Sequence, residues 1–233
     1  MKIDVVSDEA IILYVSEQFN EHACAMVQYL SEQIAALPEL VVYDLIPAYH
    51  SLMVIFDPFQ HQHFQVINAV NKLLQQAKTQ TALAQLASGQ ASTKEIILPA
   101  YYGQEVGWDL AAVATTLGLT QQEVITLHHK SRYQVFAIGF APGFAYLGKL
   151  DKALSIPRLA SPRLKVPQGA IAIAQRQTAV YPQQSPGGWH IIGRCPQPLF
   201  NPNMSPPIPF SVGDTVKFRP IDQDEYIALG GTL

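Results

Sequence analysis

The sequence predicts an α+β protein with a small N-terminal α/β domain followed by a β-rich domain. The first third alternates strand-like and helix-like segments, whereas the rest has short apolar runs between Gly and Pro turn signals. A small, polar stretch, Lys78 to Thr93, separates the two parts and is the best candidate linker. We therefore place the domains at residues 1–88 and 89–233.

The N-terminal domain is expected to have the order β-β-α-β-β-α. Apolar, β-branched runs predict strands at residues 3–6, 10–15, 41–46 and 52–56. Apolar residues at three- and four-residue steps predict one helix that Asn20 caps and Pro38 stops, and a second over 59–77. Helices on one face of a small mixed sheet would bury the apolar faces of both helices.

The second domain is expected to be a compact β-barrel or sandwich with one helical insertion. Its strand candidates are residues 96–98, 135–138, 170–174, 191–192, 215–218 and 226–229. The insertion, near 109–129, resembles a DNA-binding helix-turn-helix, with Gly118 at the turn and a capping box from Thr120 to Glu123. The chain carries a net charge of −3 and has no Lys/Arg run, so we interpret the pair as a plain α-hairpin and expect no nucleic-acid binding.

Composition excludes several further classes. No apolar stretch is long enough to span a membrane, no signal peptide is visible, and the two distant cysteines, Cys24 and Cys195, form neither a disulfide framework nor a zinc site. A reducing, cytoplasmic location is expected. The pairs His61/His63 and His128/His129 lack metal-ligand spacing and are expected to be solvated. Phosphate-loop, dinucleotide-binding and nucleophile-elbow motifs are absent.

Three segments carry the candidate chemistry. An aromatic turn contains Phe140, Pro142, Gly143, Phe144 and Tyr146. Its glycine lets a ligand approach the backbone, although the residues alone favour a glycine-rich corner beside core aromatics. Next, Pro157-Arg158 and Pro162-Arg163 place two arginines on restricted backbone, which suits an anion clamp, although two solvated arginines would look the same.

The third segment runs from residue 177 to residue 194. Its candidate ligand-binding residues are Gln177, Thr178, Tyr181, Ser185, Gly187, Gly188, Trp189 and Arg194. The segment from Ser185 to His190 is expected to be an irregular loop, and His190 is a candidate proton carrier or simply a structural donor.

These motifs occur in an order that resembles the family of the 5-oxoprolinase B-type subunits, the first subunit of allophanate hydrolase and the sporulation-kinase A inhibitor. The stretches that carry the resemblance are residues 139–148, 157–169, 177–182 and 185–194. The family implies a cyclophilin-like β-barrel of carboxyltransferase type. It also implies two partner proteins, a C-like subunit of carboxyltransferase type and an A-like protein. The implied co-substrate is ATP, together with Mg.

The reaction that the resemblance implies converts 5-oxoproline, ATP and water to glutamate, ADP and phosphate. In the corresponding hypothesis ATP phosphorylates the lactam oxygen, while Arg158, Arg163 and Arg194 hold phosphate or carboxylate. His190 would move a proton, and amides near Gly143 and Gly187 would bind an oxyanion.

Two other functions remain open at this point. The same motifs fit an inhibitor of a sporulation-type histidine kinase, or one component of an allophanate hydrolase or urea carboxylase. The sequence also departs from the family pattern, since Gln104 replaces a glycine and Trp108 a proline, and a second glycine is missing after Gly148. These changes bear on local turn geometry and ligand preference.

Overall fold

The computed structural model of the protein describes residues 1–18, 21–77 and 94–233. The chain divides into two compact units, Met1–Thr93 and Lys94–Leu233. The predicted linker over 78–93, the predicted boundary after residue 88 and the predicted cap Asn20 all lie outside the described residues.

The first unit has the predicted order β-β-α-β-β-α. Its elements are β1 (Lys2–Ser7), β2 (Ala10–Tyr14), α1 (Glu21–Ala35), β3 (Val42–Ala48), β4 (Ser51–Phe56) and α2 (His63–Ala77). The second helix begins at residue 63 rather than 59 because Asp57 first organises a turn. Its carboxylate accepts the backbone N–H of Phe59 at 2.9 Å and the side-chain amide of Gln60 at 2.7 Å.

The sheet of the first unit has the strand order β1-β2-β4-β3, and each pairing is antiparallel. The expected mixed sheet was therefore wrong. The cause lies in the connections: β1–β2 and β3–β4 are joined by short turns, which only antiparallel neighbours allow. Alternate residues of β4, Leu52, Val54 and Phe56, are fully buried and share one core with the apolar faces of both helices.

The second unit is built on a sheet that closes on itself. Its elements are β5 (Glu95–Ala100), α3 (Leu110–Leu117), α4 (Gln121–Lys130), β6 (Arg132–Ile138), β7 (Ala145–Gly148), a 3₁₀ turn (Lys152–Leu154), β8 (Arg163–Val166), β9 (Ala170–Ala174), β10 (Gln177–Val180), β11 (Ser185–Gly187), β12 (His190–Arg194), β13 (Thr215–Pro220) and α5 (Gln223–Ala228).

Hydrogen bonds connect these strands in the order β5-β13-β6-β7-β10-β9-β12. The pairing of β5 with β13 is parallel, and the other pairings along this path are antiparallel. The path returns to its start because Tyr101, next to β5, exchanges backbone hydrogen bonds of 2.9 and 2.7 Å with Arg194. The sequence predicted either a β-barrel or a β-sandwich for this unit, and the closed sheet is a β-barrel.

Two local predictions in this unit were wrong. Residues 226–229 were expected to be a strand, but most of them lie in α5, which Asp222 caps by accepting the N–H of Glu225 at 2.8 Å. The stretch from residue 185 was expected to be an irregular loop, but β11 pairs with β8 as a separate two-stranded sheet. Pro186 is tolerated there because a strand of such a small sheet has a free edge.

Strand β9 shows why the aromatic residues gather where they do. All five residues of its Ala-Ile-Ala-Ile-Ala sequence are buried. The isoleucines point into the main core, whereas Ala170, Ala172 and Ala174 belong to a second cluster that contains Phe144, Tyr181 and Trp189. Because alanine side chains are small, this face of the sheet leaves room for large rings.

His128 is fully buried, so the expectation that it is solvated was wrong. It lies four residues after buried Val124, on the face of α4 that meets the core. Its ring bonds the Tyr102 hydroxyl at 2.7 Å through Nδ1 and the Thr178 hydroxyl at 2.9 Å through Nε2. Thr178 in turn donates to the carbonyl of Ala172 at 3.0 Å, so Nε2 carries the proton.

Candidate functional site

An aromatic cleft in the second unit brings together half of the predicted site residues. Its volume is about 100 Å³. The residues that line it are Phe140, Phe144, Tyr146, Arg158, Tyr181, Pro186, Gly187, Gly188 and Trp189. Apart from Pro186, each of these was singled out from the sequence. The three motif regions are therefore joined in one place.

Phe144 is the centre of the aromatic wall. Its ring centroid lies 4.9 Å from that of Tyr146, 5.3 Å from Tyr181 and 6.0 Å from Trp189, each in an edge-to-face arrangement. Edge-to-face contacts of this kind add to the stabilisation that ring burial provides. Phe144, Tyr181 and Trp189 are buried, so they form a fixed wall rather than a mobile one.

The turn that carries Phe140 is a tight one. The N–H of Phe144 donates to the carbonyl of Ala141 at 2.9 Å, with Pro142 and Gly143 between them. Gly143 has φ +83°, and a Cβ there would collide with the carbonyl of Leu199. Proline followed by a left-handed glycine is the pattern of a type II turn. Pro142 and Gly143 therefore shape the cleft without being part of its lining.

Phe140 has an unusual backbone conformation at the rim. Its φ is +75°, a left-handed value that costs a bulky residue energy, and its side chain is 63% exposed. The ring lies edge-to-face on Phe144, at a centroid distance of 5.2 Å. An exposed aromatic ring held on strained backbone beside a cleft is typical of a ligand-contacting position.

Glycines form another part of the wall of the cleft. In β11, Gly187 pairs with Arg163 of β8, and a Cβ at position 187 would collide with the hydroxyl of Tyr181. The carbonyl of Gly188 accepts the N–H of Leu159 at 2.8 Å, which connects this wall to the segment that carries Arg158. The absence of side chains here lets Tyr181 and a ligand approach the backbone closely.

Arg158 supplies the charge of the cleft. Its guanidinium carbon lies 5.9 Å from the centroid of the Trp189 ring, in cation–π geometry, and the side chain is exposed. Burial raises the pKa of Tyr181, although the positive charge of Arg158 opposes that rise. The phenol therefore stays protonated near neutral pH, and the cleft offers one cation and no acid among the described residues that line it.

Arg163 has a different environment from Arg158, so the structure does not bring the two predicted arginines together as one clamp. Both terminal nitrogens of Arg163 bond the carboxylate of Asp109, at 2.6 and 2.9 Å. The same carboxylate accepts the N–H of Ile191 at 2.7 Å. Asp109 thus ties β8 to the start of β12.

Sequence reasoning missed Asp109 as a part of the site. It was seen only as the first residue of the helical insertion, 54 residues before Arg163 in the chain. The available signal was its position: a carboxylate directly before an apolar helix is expected either to cap that helix or to pair with a cation. Here the side chain makes no cap hydrogen bond and instead pairs with the arginine.

The remaining predicted residues lie outside the cleft. His190 bonds the carbonyl of Pro157 at 2.8 Å through Nε2, so this nitrogen carries the proton and holds the Arg158 segment. Thr178 is fully buried in the His128 network. Gln177 begins β10 and Ser185 begins β11.

Arg194 lines a second, more polar cleft of about 300 Å³, together with the segment from Gly230 to Thr232. One terminal nitrogen of the guanidinium donates to the carbonyl of Thr232 at 3.1 Å. Its predicted role beside the aromatic rings therefore has no support from its position.

Metal ligands do not cluster in the described parts of the chain. Over residues 1–18, 21–77 and 94–233, no group of three or more His, Cys, Asp or Glu side chains could hold a metal ion. Over the same residues, no helix combines the length and the apolar character that a membrane crossing requires.

These features define an α+β protein whose closed sheet carries an aromatic cleft. The chain belongs to the family of the carboxyltransferase domain, subdomains C and D, whose family model matches residues 1–210. It is 35% identical over 231 residues to the 5-oxoprolinase B-type subunit of Bacillus subtilis, covering 97% of this chain and 95% of that protein. It is 33% identical over 216 residues to the 5-oxoprolinase B-type subunit of Escherichia coli O157:H7, covering 93% and 94%.

A solved structure shares the fold. The crystal structure of TTHA0988 superposes with a TM-score of 0.76 at 31% sequence identity. The match covers 91% of this chain but only 40% of that longer one. This chain therefore corresponds to less than half of TTHA0988.

Proposed function

We propose that this chain is the B-type subunit of an ATP-dependent 5-oxoprolinase, and that the aromatic cleft is its ligand site. The assembled enzyme would open the lactam ring of 5-oxo-L-proline to L-glutamate with hydrolysis of ATP. The names of the two bacterial relatives support the enzyme, because both align over more than nine-tenths of this chain.

The observation that carries the site is the convergence of three distant segments on one cleft. Phe140, Arg158 and Trp189 come from different loops, yet they line the same space. Clefts that combine apolar rings with a few polar groups are the usual form of small-molecule sites. The cation can bind the substrate carboxylate, and the rings can pack on the faces of the lactam.

The residue roles that we propose follow from the contacts. Arg158 binds an anion directly. His190 and Asp109 act by positioning, the first through the carbonyl of Pro157 and the second through Arg163 and Ile191. Proton transfer from His190 is not part of this proposal, because its Nε2 proton is already used in a hydrogen bond.

Partners are part of the proposal as well. A C-like companion of carboxyltransferase type and an A-like protein would complete the enzyme. The larger size of TTHA0988 supports a physical association, because in that protein this fold is joined to further chain. Co-expression followed by size-exclusion chromatography should give one peak that contains this chain and the C-like companion.

The test of function is 5-oxoproline-dependent ATP hydrolysis by the copurified complex. We expect Arg158→Ala to reduce kcat/KM by about ten- to a hundredfold, since a charge-assisted hydrogen bond contributes about 1.5–3 kcal/mol. Arg176→Ala is the matched control, because Arg176 is also an exposed arginine but lies outside the cleft. A complex that hydrolyses ATP at the same rate with and without 5-oxoproline would contradict the proposal.

A further inference from the structure

We infer that the aromatic cleft takes a small flat ring bearing one carboxylate, and that it does not take the nucleotide. The inference rests on the proposed function in one respect only. The proposed reaction has two organic reactants: a five-membered lactam that bears a carboxylate, and a nucleoside triphosphate. The cleft fits one of them and not the other.

The charge of the cleft suits a single carboxylate better than a triphosphate. Among the described residues that line the cleft, Arg158 is the one charged side chain. A single guanidinium matches the two oxygens of a single carboxylate. A triphosphate needs several cationic or backbone donors, usually with Mg²⁺ held by an acidic or amide side chain. The lining residues include no acid that could hold such an ion.

The size of the cleft suits a small ring better than a nucleotide. The cleft volume of about 100 Å³ lies below the range of roughly 300–1,000 Å³ that pockets for drug-sized ligands span. The space is further restricted because Phe144, Tyr181 and Trp189 are buried and packed edge-to-face against each other. A small ring can fill this space, whereas a base, a ribose and three phosphates together cannot.

The walls of the cleft suit a flat ring with a polar edge. The rings of Phe144, Tyr181 and Trp189 line the cleft together with the backbone of Gly187 and Gly188. A flat amide ring can pack on the rings while its polar edge faces the glycine backbone. Arg158 lies over Trp189 at 5.9 Å, so the guanidinium and the ring wall are adjacent and can be contacted by one small molecule. The nucleotide must then be held elsewhere in the assembled enzyme.

A fluorescence titration of the full chain tests this assignment. The chain has two tryptophans, so Trp108→Phe leaves Trp189 as a single reporter inside the cleft. We expect 5-oxoproline to change its emission saturably. 2-Pyrrolidinone, the same ring without the carboxylate, should bind at least about tenfold more weakly, because the charge-assisted contact is lost. Mg-ATP should neither change the emission saturably nor compete with 5-oxoproline.

Variants show whether the carboxylate reaches Arg158. On the Trp108→Phe background, Arg158→Ala should weaken 5-oxoproline binding by about ten- to a hundredfold, and Arg158→Lys by less, because an ammonium keeps the charge but not the planar fork. Arg176→Ala should have no effect. Equal binding of 2-pyrrolidinone and 5-oxoproline, unchanged binding in Arg158→Ala, or competition by Mg-ATP would each overturn the inference.

Furan-2-carboxylate separates this inference from the proposed function. It is a flat five-membered ring with a carboxylate but without a lactam. If it binds in an Arg158-dependent manner while 5-oxoproline does not, the ring-acid assignment stands and the 5-oxoprolinase proposal fails. If no ring acid binds to the full chain, the cleft assignment itself is wrong.

Discussion

Asp109 is expected to be the most sensitive polar position in the second unit. Its side chain is 9% exposed and forms a two-pronged ion pair with Arg163, whose side chain is 29% exposed. Asp109→Ala leaves the arginine without its partner and also removes the acceptor of the Ile191 N–H. Loss of one partner from a buried pair costs about 3–5 kcal/mol. Since water can reach part of Arg163, we take the lower half of that range, about 3–4 kcal/mol.

The measurement is urea unfolding followed by tryptophan fluorescence. Trp108 and Trp189 both lie in the second unit, so the signal reports on that unit. Glu225→Ala is the matched control, because Glu225 makes the same two-pronged contact with Arg219, at 2.6 and 3.2 Å, but in solvent. The control should unfold at nearly the parental urea concentration, since exposed pairs contribute little. Equal effects of the two substitutions would refute the argument from burial.

Three further predictions concern stability. Burial lowers the pKa of His128 to about 3, so below pH 6.5 the unfolded chain takes up a proton that the folded chain does not. Titration of His128 should therefore lower the unfolding free energy by about 2 kcal/mol between pH 7 and pH 5. Urea unfolding at both pH values should show a smaller decrease for the His128→Gln variant. Phe140→Gly should be more stable than Phe140→Ala by about 1 kcal/mol in the same assay, because only glycine relieves the left-handed backbone; a more stable alanine variant would contradict this. In thermal melts, Gly143→Ala should lose more stability than Gly118→Ala, since both have positive φ but only position 143 would clash with backbone; equal losses would argue against the clash.

The order of elements in the first unit and most of the lining of the aromatic cleft could be predicted because they depend on local patterns. Apolar, β-branched runs identified the strands of the first unit, and the aromatic, Pro-Arg and Gly-Gly motifs identified most of the cleft lining. Local pattern was insufficient where two signals competed. Residues 226–229 are apolar enough for a strand, but the cap at Asp222 and the acids that follow it favour a helix.

Contacts between distant residues could not be predicted. Nothing near Arg163 in the sequence indicates that its partner is Asp109, which lies 54 residues earlier in the chain. The burial of His128 was partly visible, because it follows Val124 by four residues, but its neighbour His129 made a solvated pair look equally reasonable. Its partners Tyr102 and Thr178 come from other parts of the closed sheet.

The parallel pairing of β5 with β13 has a consequence for synthesis on the ribosome. Strand β5 is the first strand of the second unit and β13 is its last, separated by more than one hundred residues. The sheet therefore cannot close until residue 220 has left the exit tunnel, whereas the first unit is available to fold much earlier. Folding that waits on such a distant contact is slow, and it leaves strand edges exposed in the meantime. Nascent chains stalled between β12 and β13 should consequently need chaperone protection.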